Sequence, residues 1–529
     1  MKYKAKIQLL RNRLNGAAFL VAALSLTSVA VAGYGQDIEQ PAPDGKIIIP
    51  SSSIVRTEDI VARRAHTNIV LYIHSNNTQP GPTFETPASI ACVYHLVSQV
   101  SGCPISTATT NPTGGSGAIA LVEAYDYPTA ANDLAVFSSR FGLPPANLKI
   151  VYATGTQPPP DPFNGGWDLE QALDIEWAHA MAPQAEIFLV QAASQDLSDL
   201  LLAEQVASEL VAAAGGGEVS NSWGYPEQSS YTADDSDFNM PRVVYFASTG
   251  DSPFSLNYPS VSPNVIAAGG TSLQRDASGK LTGELYWDNI YGGGGGGLST
   301  SESIPSYQNV IAGIVGNHRG VPDISSDADP LSGVAVYDST PYFGQALYWL
   351  QIGGTSVSSP TLAGIANVAR AADTAAALAE IYGDYGSPTE YLQEYRDIKL
   401  GNSNCKTGWD ICTGVGTPLG YVSLAAPDFS LTLTPIWVSK FTIKGFKVAV
   451  GAAGGFNGTV ALSCNLSGGT CTLNPTSIVG SGTSLMTGPI YAFEWDGATV
   501  TGTSGSLKHT VQFTYVPPPP PPCKPRPCQ

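Results

Sequence analysis

Between about residue 88 and residue 426, apolar runs of β character alternate with helical patterns. The runs at 118–124, 148–151, 187–191, 243–247 and 265–268 read as buried strands. The segments 168–181, 197–214 and 357–371 carry helical periodicity. Alternation of this kind predicts an α/β fold, a mostly parallel sheet with helices on both faces. At 427 the texture changes. Helical periods vanish, and short strands at 429–433, 458–463 and 509–514 are separated by Gly, Ser and Asn turns. That is the pattern of a small all-β sandwich, expected over 427–516. The remaining tail, 517–529, is Pro-rich and predicted to be extended.

The N-terminus reads as an export signal. Residues 1–16 hold five Lys and Arg and no acid, and 17–32 are apolar and end in Ala30-Val31-Ala32, a small-residue cleavage pattern. The run is shorter than the ~20 residues that a membrane span needs. No later stretch could cross a membrane, so the mature chain is expected to be secreted or periplasmic. Residues 33–85 are polar and Pro-rich in places. They read as a short N-terminal segment, a possible prosegment, ahead of a main domain over 86–426. The eight cysteines fall in close pairs, 92/103, 405/412, 464/471 and 523/528. In an exported protein these read as short-loop disulfides, and no C-x-x-C zinc spacing occurs.

Composition excludes some partners. The formal net charge is -18, from 25 Lys+Arg against 43 Asp+Glu. An acidic chain without a basic patch argues against nucleic acid. The 43% hydrophobic content supplies a core and argues against disorder of the whole chain.

Three segments carry residues suited to chemistry. G-G-T-S-V-S-S-P, 353–360, follows an apolar strand and opens an apolar helix. A Ser there, Ser356, has an exposed hydroxyl and a backbone N–H at a helix N-terminus. This suits a nucleophile that generates an oxyanion, and equally a helix N-cap. D-L-E-Q-A-L-D-I-E, 168–176, opens a helix on which Glu170 and Asp174 share one face. Such a pair shares a proton and makes a carboxylate base, although acids also favour helix N-termini through the dipole. The run 243–252 carries Asp251, just past the C-terminal end of a buried strand, where open α/β sheets place their sites. Protonated, Asp251 could donate to an oxyanion; otherwise it is a turn residue. Of the six His, only His179 lies on a helix near these segments, and a structural role suits it better than that of a base.

The combination resembles the sedolisin, or serine-carboxyl peptidase, family. The shared order runs through E-x-x-x-L-D-x-E and A-x-A-P-x-A (170–185), S-x-S-W-G (220–224) and G-D-S (250–252). It continues through Y-P-x-x-S-P-x-V-I-A-x-G-G-T (258–271), E-x-x-W (284–287), P-S-Y-Q (305–308) and R-G-V-P-D-x-S-x-D-A-D-P (319–330). G-G-T-S and R-D-I…G-W-D-x-x-T-G-x-G (396–416) complete it. The resemblance implies a subtilisin-like fold and a secreted, acid-active endopeptidase acting on proteins or peptides. It implies Ser356 as nucleophile, Glu170 as base, Asp174 as the residue that tunes Glu170, and Asp251 in the oxyanion hole. Ser222, Trp223 and Gly224 would bind substrate. One structural calcium ion would be held by Asp397 and Asp410 with the carbonyls of Ile398, Lys406 and Gly408. The C-terminal sandwich resembles bacterial Ig-like modules, whose partner the sequence does not identify. Two features depart from the family. Its precursors carry a large folded prodomain where this chain has some fifty residues, and Pro253 stands where the family has Gly. They support the alternative of a secreted binding or adhesion protein with an impaired peptidase site. A subtilisin-type enzyme using His179 is the third reading.

Overall fold

A computed structural model describes residues 36–513, except 76–77, 426–427, 440–441, 454–455, 457, 467–469, 489–496 and 506. The expected export signal, 1–32, and the 517–529 tail with Cys523 and Cys528 lie outside the described residues. The chain divides into two compact units, one ending at Leu424 and the other starting at Ala425.

The first unit is built on an eight-stranded sheet. Its parallel strands are β5 (Ala118–Ala124), β6 (Asn147–Tyr152), β7 (Glu186–Ala192), β8 (Gly217–Asn221), β10 (Val243–Ser248), β11 (Ile266–Arg275) and β13 (Ile324–Asp327). The antiparallel β12 (Leu281–Tyr286) closes one edge. The order is β12-β11-β10-β8-β5-β7-β6, with β13 also on β11. Strands β5, β8 and β10 are buried almost throughout, as parallel strands covered on both faces must be. Helices α3 (Gly166–Met181) and α5 (Thr355–Ala369) cover one face, and α4 (Leu197–Ala213) covers the other. The sheet and helices follow the pattern read from the sequence.

Helix α3 is buried along its whole length, because it is wedged between the sheet and α5. Its start is fixed by Asp161, whose carboxylate accepts the N–H groups of Phe163, Gly165 and Trp167 at 2.8, 2.8 and 3.1 Å. The two helices approach closely at Gly364, where an added Cβ would lie 2.5 Å from Met181 Cβ. A larger residue there would push α5 from α3 and separate the side chains they share.

The described part of the N-terminal segment packs into the main domain. A second, five-stranded antiparallel sheet has the order β1-β2-β4-β15-β14. The N-terminal segment supplies β1 (Ile38–Ala42), β2 (Gly45–Ile49) and β4 (Val70–His74), and the main domain supplies β14 (Val334–Tyr342) and β15 (Gln345–Gly353). The reason is apolar burial. Ile47, Ile48, Ile69 and Leu71 need a core that some fifty residues cannot build alone, and the long β14–β15 hairpin provides it. A short strand, β3 (His66–Thr67), pairs with β9 (Trp223–Pro226).

The second unit has two four-stranded antiparallel sheets, with β16 (Asp428–Ser439) and β17 (Thr442–Ala453) in one and β18 (Thr459–Asn465) and β19 (Thr499–Ser504) in the other. Phe446 and Val448 from the first sheet and Val460 and Val500 from the second share one core. The bridges Cys92–Cys103, Cys405–Cys412 and Cys464–Cys471 are formed.

Candidate active site

Ser356 is the second residue of α5, immediately after the β15 strand and its turn. Gly354 makes that turn possible with a φ of 105°. A Cβ there would lie 2.0 Å from the Asn68 carbonyl oxygen and 2.7 Å from Asp251 Oδ2, so only glycine fits. Pro360, five residues into the helix, has no N–H to offer the Ser356 carbonyl. That carbonyl instead faces the Ser222 hydroxyl at 3.5 Å.

The structure brings together the four side chains singled out in the sequence. Glu170 and Asp174 on α3 are fully buried, as is Ser356. The Ser356 hydroxyl donates to the Ser222 carbonyl at 3.1 Å and also stabilises the ionised form of Glu170. Asp174 Oδ1 accepts the Ser222 hydroxyl at 2.9 Å. Asp251 is partly exposed, but its carboxyl is turned inward. Its Oδ1 accepts the Thr355 N–H at 2.7 Å and the Thr355 hydroxyl at 2.9 Å. Its Oδ2 has no hydrogen-bond partner among the described residues. Asp251 holds these contacts with Pro253 two residues on.

Burial dominates the electrostatics. It pushes Glu170 well above the ordinary carboxylate range, and the charge of Asp174 pushes it further. Burial also raises Asp174 to about 7, against hydrogen bonds from Glu123 and Ser222. Asp251 is raised to about 7 by burial, opposed by its bonds from Thr355. Burial favours a neutral Asp251 and a proton within the cluster of Glu123, Glu170 and Asp174 in acid, while the Ser356 hydroxyl and the Asn68 N–H favour the ionised form of Glu170. A neutral Asp251 has a proton to give from Oδ2, beside the Ser356 N–H.

Two residues of the site escaped the sequence reading. Glu123, on β5, is buried against Asp174, and burial and then Asp174 raise it well above its usual range. Its signal was an acid inside the otherwise apolar run A-I-A-L-V-E-A. Asn68 is the second; its N–H donates to Glu170 Oε2 at 3.2 Å and its carbonyl accepts the Ser356 N–H at 3.1 Å. His179 stands apart from this cluster: its Nε2 pairs with the Pro144 carbonyl at 2.9 Å, and burial lowers its pKa. That is the structural role expected of it.

Ser222, Trp223 and Gly224 follow β8 and are buried. The Trp223 side chain is fully buried, with its indole N–H on the Val122 carbonyl, and its backbone pairs with β3. Further off, Asp397 and Asp410 lie near enough for the charge of Asp397 to raise Asp410. Burial is the larger cause, and Asp410 stands at about 6. The Lys406 and Gly408 backbones surround them through N–H groups, Lys406 on Asp410 at 2.5 Å and Gly408 on Asp397 at 3.1 Å. The sulfurs of Cys405 and Cys412 beside Asp410 are joined to each other and offer no thiolate.

A mostly parallel sheet with a Ser at the start of one helix and facing carboxyls on the next defines an α/β hydrolytic enzyme. No family model matches the chain. Kumamolisin of Bacillus sp. (strain MN-32) is 28% identical over 442 residues, 74% of this chain and 73% of that protein. Sedolisin of Pseudomonas sp. (strain 101) is 27% identical over 352 residues, 59% of this chain and 58% of that protein. Tripeptidyl-peptidase 1 of Dictyostelium discoideum is 29% identical over 365 residues, 59% of this chain and 55% of that protein. The chain thus spans under two thirds of the latter two. The solved structure of Pseudomonas sedolisin, a serine-carboxyl proteinase complexed with two molecules of pseudo-iodotyrostatin, is 25% identical. It matches with a TM-score of 0.52 over 63% of this chain and 95% of that one. These relatives support the sedolisin family, and the chain is an enzyme of their class, a serine-carboxyl peptidase.

Proposed function

We propose that this enzyme is an exported endopeptidase that works in acid through Ser356. The observation that carries the reading is the convergence at Gly354. The Ser356 N–H and Asp251 Oδ2 border one small space, and Glu170 stands on the other side of the Ser356 hydroxyl. Glu170 takes the hydroxyl proton as Oγ attacks a peptide carbonyl. Asp174, held by Ser222 and Glu123, tunes Glu170 and shares the proton within the carboxyl cluster. The developing oxyanion is met by the Ser356 N–H and by neutral Asp251. Glu170 then protonates the leaving amine, and water releases the acyl-enzyme. The reading needs no His, and carboxyls of this kind act at a pH where His is already charged.

The backbones of Ser222, Trp223 and Gly224 would line the substrate channel. Calcium is part of the same reading. Asp397 and Asp410 are hard oxygen donors whose mutual repulsion a cation would relieve, and the carbonyls of Ile398, Lys406 and Gly408 would complete the set. The ion would stabilise the fold and take no part in the reaction. Export through residues 1–32 agrees with three disulfides. Among the described residues no helix is long and apolar enough to cross a membrane. The alternative, a binding protein with an impaired site, is not favoured, since Ser356, Glu170, Asp174 and Asp251 stand together.

Incubation with casein at about pH 4, wild type beside Ser356→Ala, tests the reading. Digestion by the wild type alone is expected. Equal digestion by both proteins would remove Ser356 from the chemistry, and digestion by neither would overturn the function.

A further inference from the structure

A cavity of about 540 Å³ opens at the N-terminal ends of β5 and β8, the end of the sheet away from Ser222. It lies between the C-terminal ends of α4 and α5. Asn367, in the last turn of α5, lines it about 16 Å along the helix from Ser356. Its floor holds a buried acid, Glu218, which is 1% exposed. Glu218 Oε2 accepts the Asn367 Nδ2 at 2.7 Å. The rest of the Asn367 amide is engaged by Ser116, accepting its N–H and donating to its carbonyl, both at 2.8 Å. The other Glu218 oxygen has no hydrogen-bond partner among the described residues. Burial, opposed by Asn367 alone, raises Glu218 well above the ordinary carboxylate range. What such a carboxyl lacks is a cationic donor.

The rim holds two cations. Arg242 and Arg370 are exposed and line the same cavity. Arg242 donates to the Ala212 carbonyl at 3.0 Å, and the Arg370 guanidinium has no hydrogen bond or ion pair among the described residues. Arg370 ends α5 at a left-handed φ of 63°, a position that usually falls to glycine. The walls between the acid and the cations include Gly215, Gly216, Ala371 and Ala372, whose small side chains leave the space open.

We propose that this cavity is a second binding site, for a small free peptide, with the peptide ammonium on Glu218 and its carboxylate on Arg242 and Arg370. The ammonium supplies the donor that the free Glu218 oxygen lacks. The guanidiniums meet a carboxylate through paired N–H groups, the arrangement in which Arg binds it best. Both charges are needed, since the acid and the two cations face one space. Hydrolysis of a peptide bond creates one new ammonium and one new carboxylate, so the ligand class is what a peptidase releases. The glycine and alanine walls suit a ligand with small side chains. The site is remote from Ser356, and its occupation does not depend on how the peptide bond is cut.

Calorimetric titration of full-length Ser356→Ala with alanyl-alanine at about pH 6, where both peptide termini are charged, tests the site without turnover. Saturable binding of one molecule per chain is expected. N-acetyl-alanyl-alanine and alanyl-alanine amide each lack one charge and should bind at least about tenfold more weakly. Two further variants are made in the same background. Glu218→Gln can still accept from Asn367, and Arg370→Gly suits the left-handed backbone, so both should melt as their parent does. Each should weaken alanyl-alanine by about tenfold to a hundredfold. Absence of binding overturns the inference, as does a blocked peptide that binds as tightly as alanyl-alanine. Binding that either variant leaves unchanged also overturns it, the dipeptide then lying elsewhere. Each of these failures leaves the function proposed for Ser356 standing, because that is tested by the digestion of casein.

Discussion

The chemistry of Ser356 depends on which carboxyl around it holds a proton, and substitutions can separate the roles. Glu170→Gln keeps the shape and loses the proton acceptor, so acylation should nearly stop at every pH. Asp251→Asn keeps a donor of similar size that no longer depends on protonation. It should retain measurable turnover and lose less of it as pH rises through about 7, where Asp251 ionises. Asp251→Ala should fall by about 100–1,000-fold, the cost of one oxyanion donor. His179→Ala should change turnover little, because its ring is engaged by the Pro144 carbonyl. Turnover of one peptide across pH, on folded variants, checks all four; an inactive His179→Ala beside an active Glu170→Gln would contradict the assignment. The principal side chains were legible because local spacing reveals them, Glu170 and Asp174 being four apart on one helix face. Glu123 and Asn68 were not, because each acts through a partner distant in sequence. Nothing in the local pattern around Asn68 marks it as a neighbour of Ser356.

At the scale of elements, strands and helices of the central sheet were legible because buried parallel strands are short apolar runs and their helices are periodic. The place of the N-terminal segment in the fold was not legible, because a five-stranded antiparallel sheet assembled from both ends of the unit leaves no local signature beyond two short apolar runs. Several motif residues also hold elements in place and take no part in the chemistry. Arg319 and Asp323 form a fully buried ion pair, and Asp323 Oδ2 also accepts the Ala267 N–H at 2.8 Å, tying β11 to the turn before β13. Arg396 pairs with Glu284, which also accepts the Thr271 and Thr417 hydroxyls at 2.7 and 3.0 Å. The loop from Asp397 to Asp410 is where calcium is proposed. An ion present at about 100 times its dissociation constant, bound to the folded state alone, adds about 2.7 kcal/mol. Thermal melts at fixed pH with and without a chelator should differ accordingly, and superimposable curves would remove the site.

At the scale of the molecule, the carboxyls buried in the first unit favour stability in acid. Burial raises Asp168 to about 9, Glu204 to about 8, Asp338 to about 7 and Asp384 to about 9, beside the carboxyls of the site. In the unfolded chain such groups titrate near 4. Between about 4 and those higher values the folded state holds more protons than the unfolded one, so stability falls as pH rises. The melting temperature should therefore be higher at about pH 4 than at about pH 8. A melting temperature that climbs toward neutrality would contradict this. Activity should follow the same direction for a separate reason, since the proposed oxyanion donor ionises as pH rises. The pH dependence of kcat/KM on a single peptide, measured on protein shown to be folded at each pH, tests the carboxyl-based mechanism most directly. The account predicts activity concentrated on the acid side and lost as pH passes about 7, with the falling limb moved upward in Asp251→Asn. A plateau that extends to about pH 8 in the wild type, the behaviour of a His base, would contradict it.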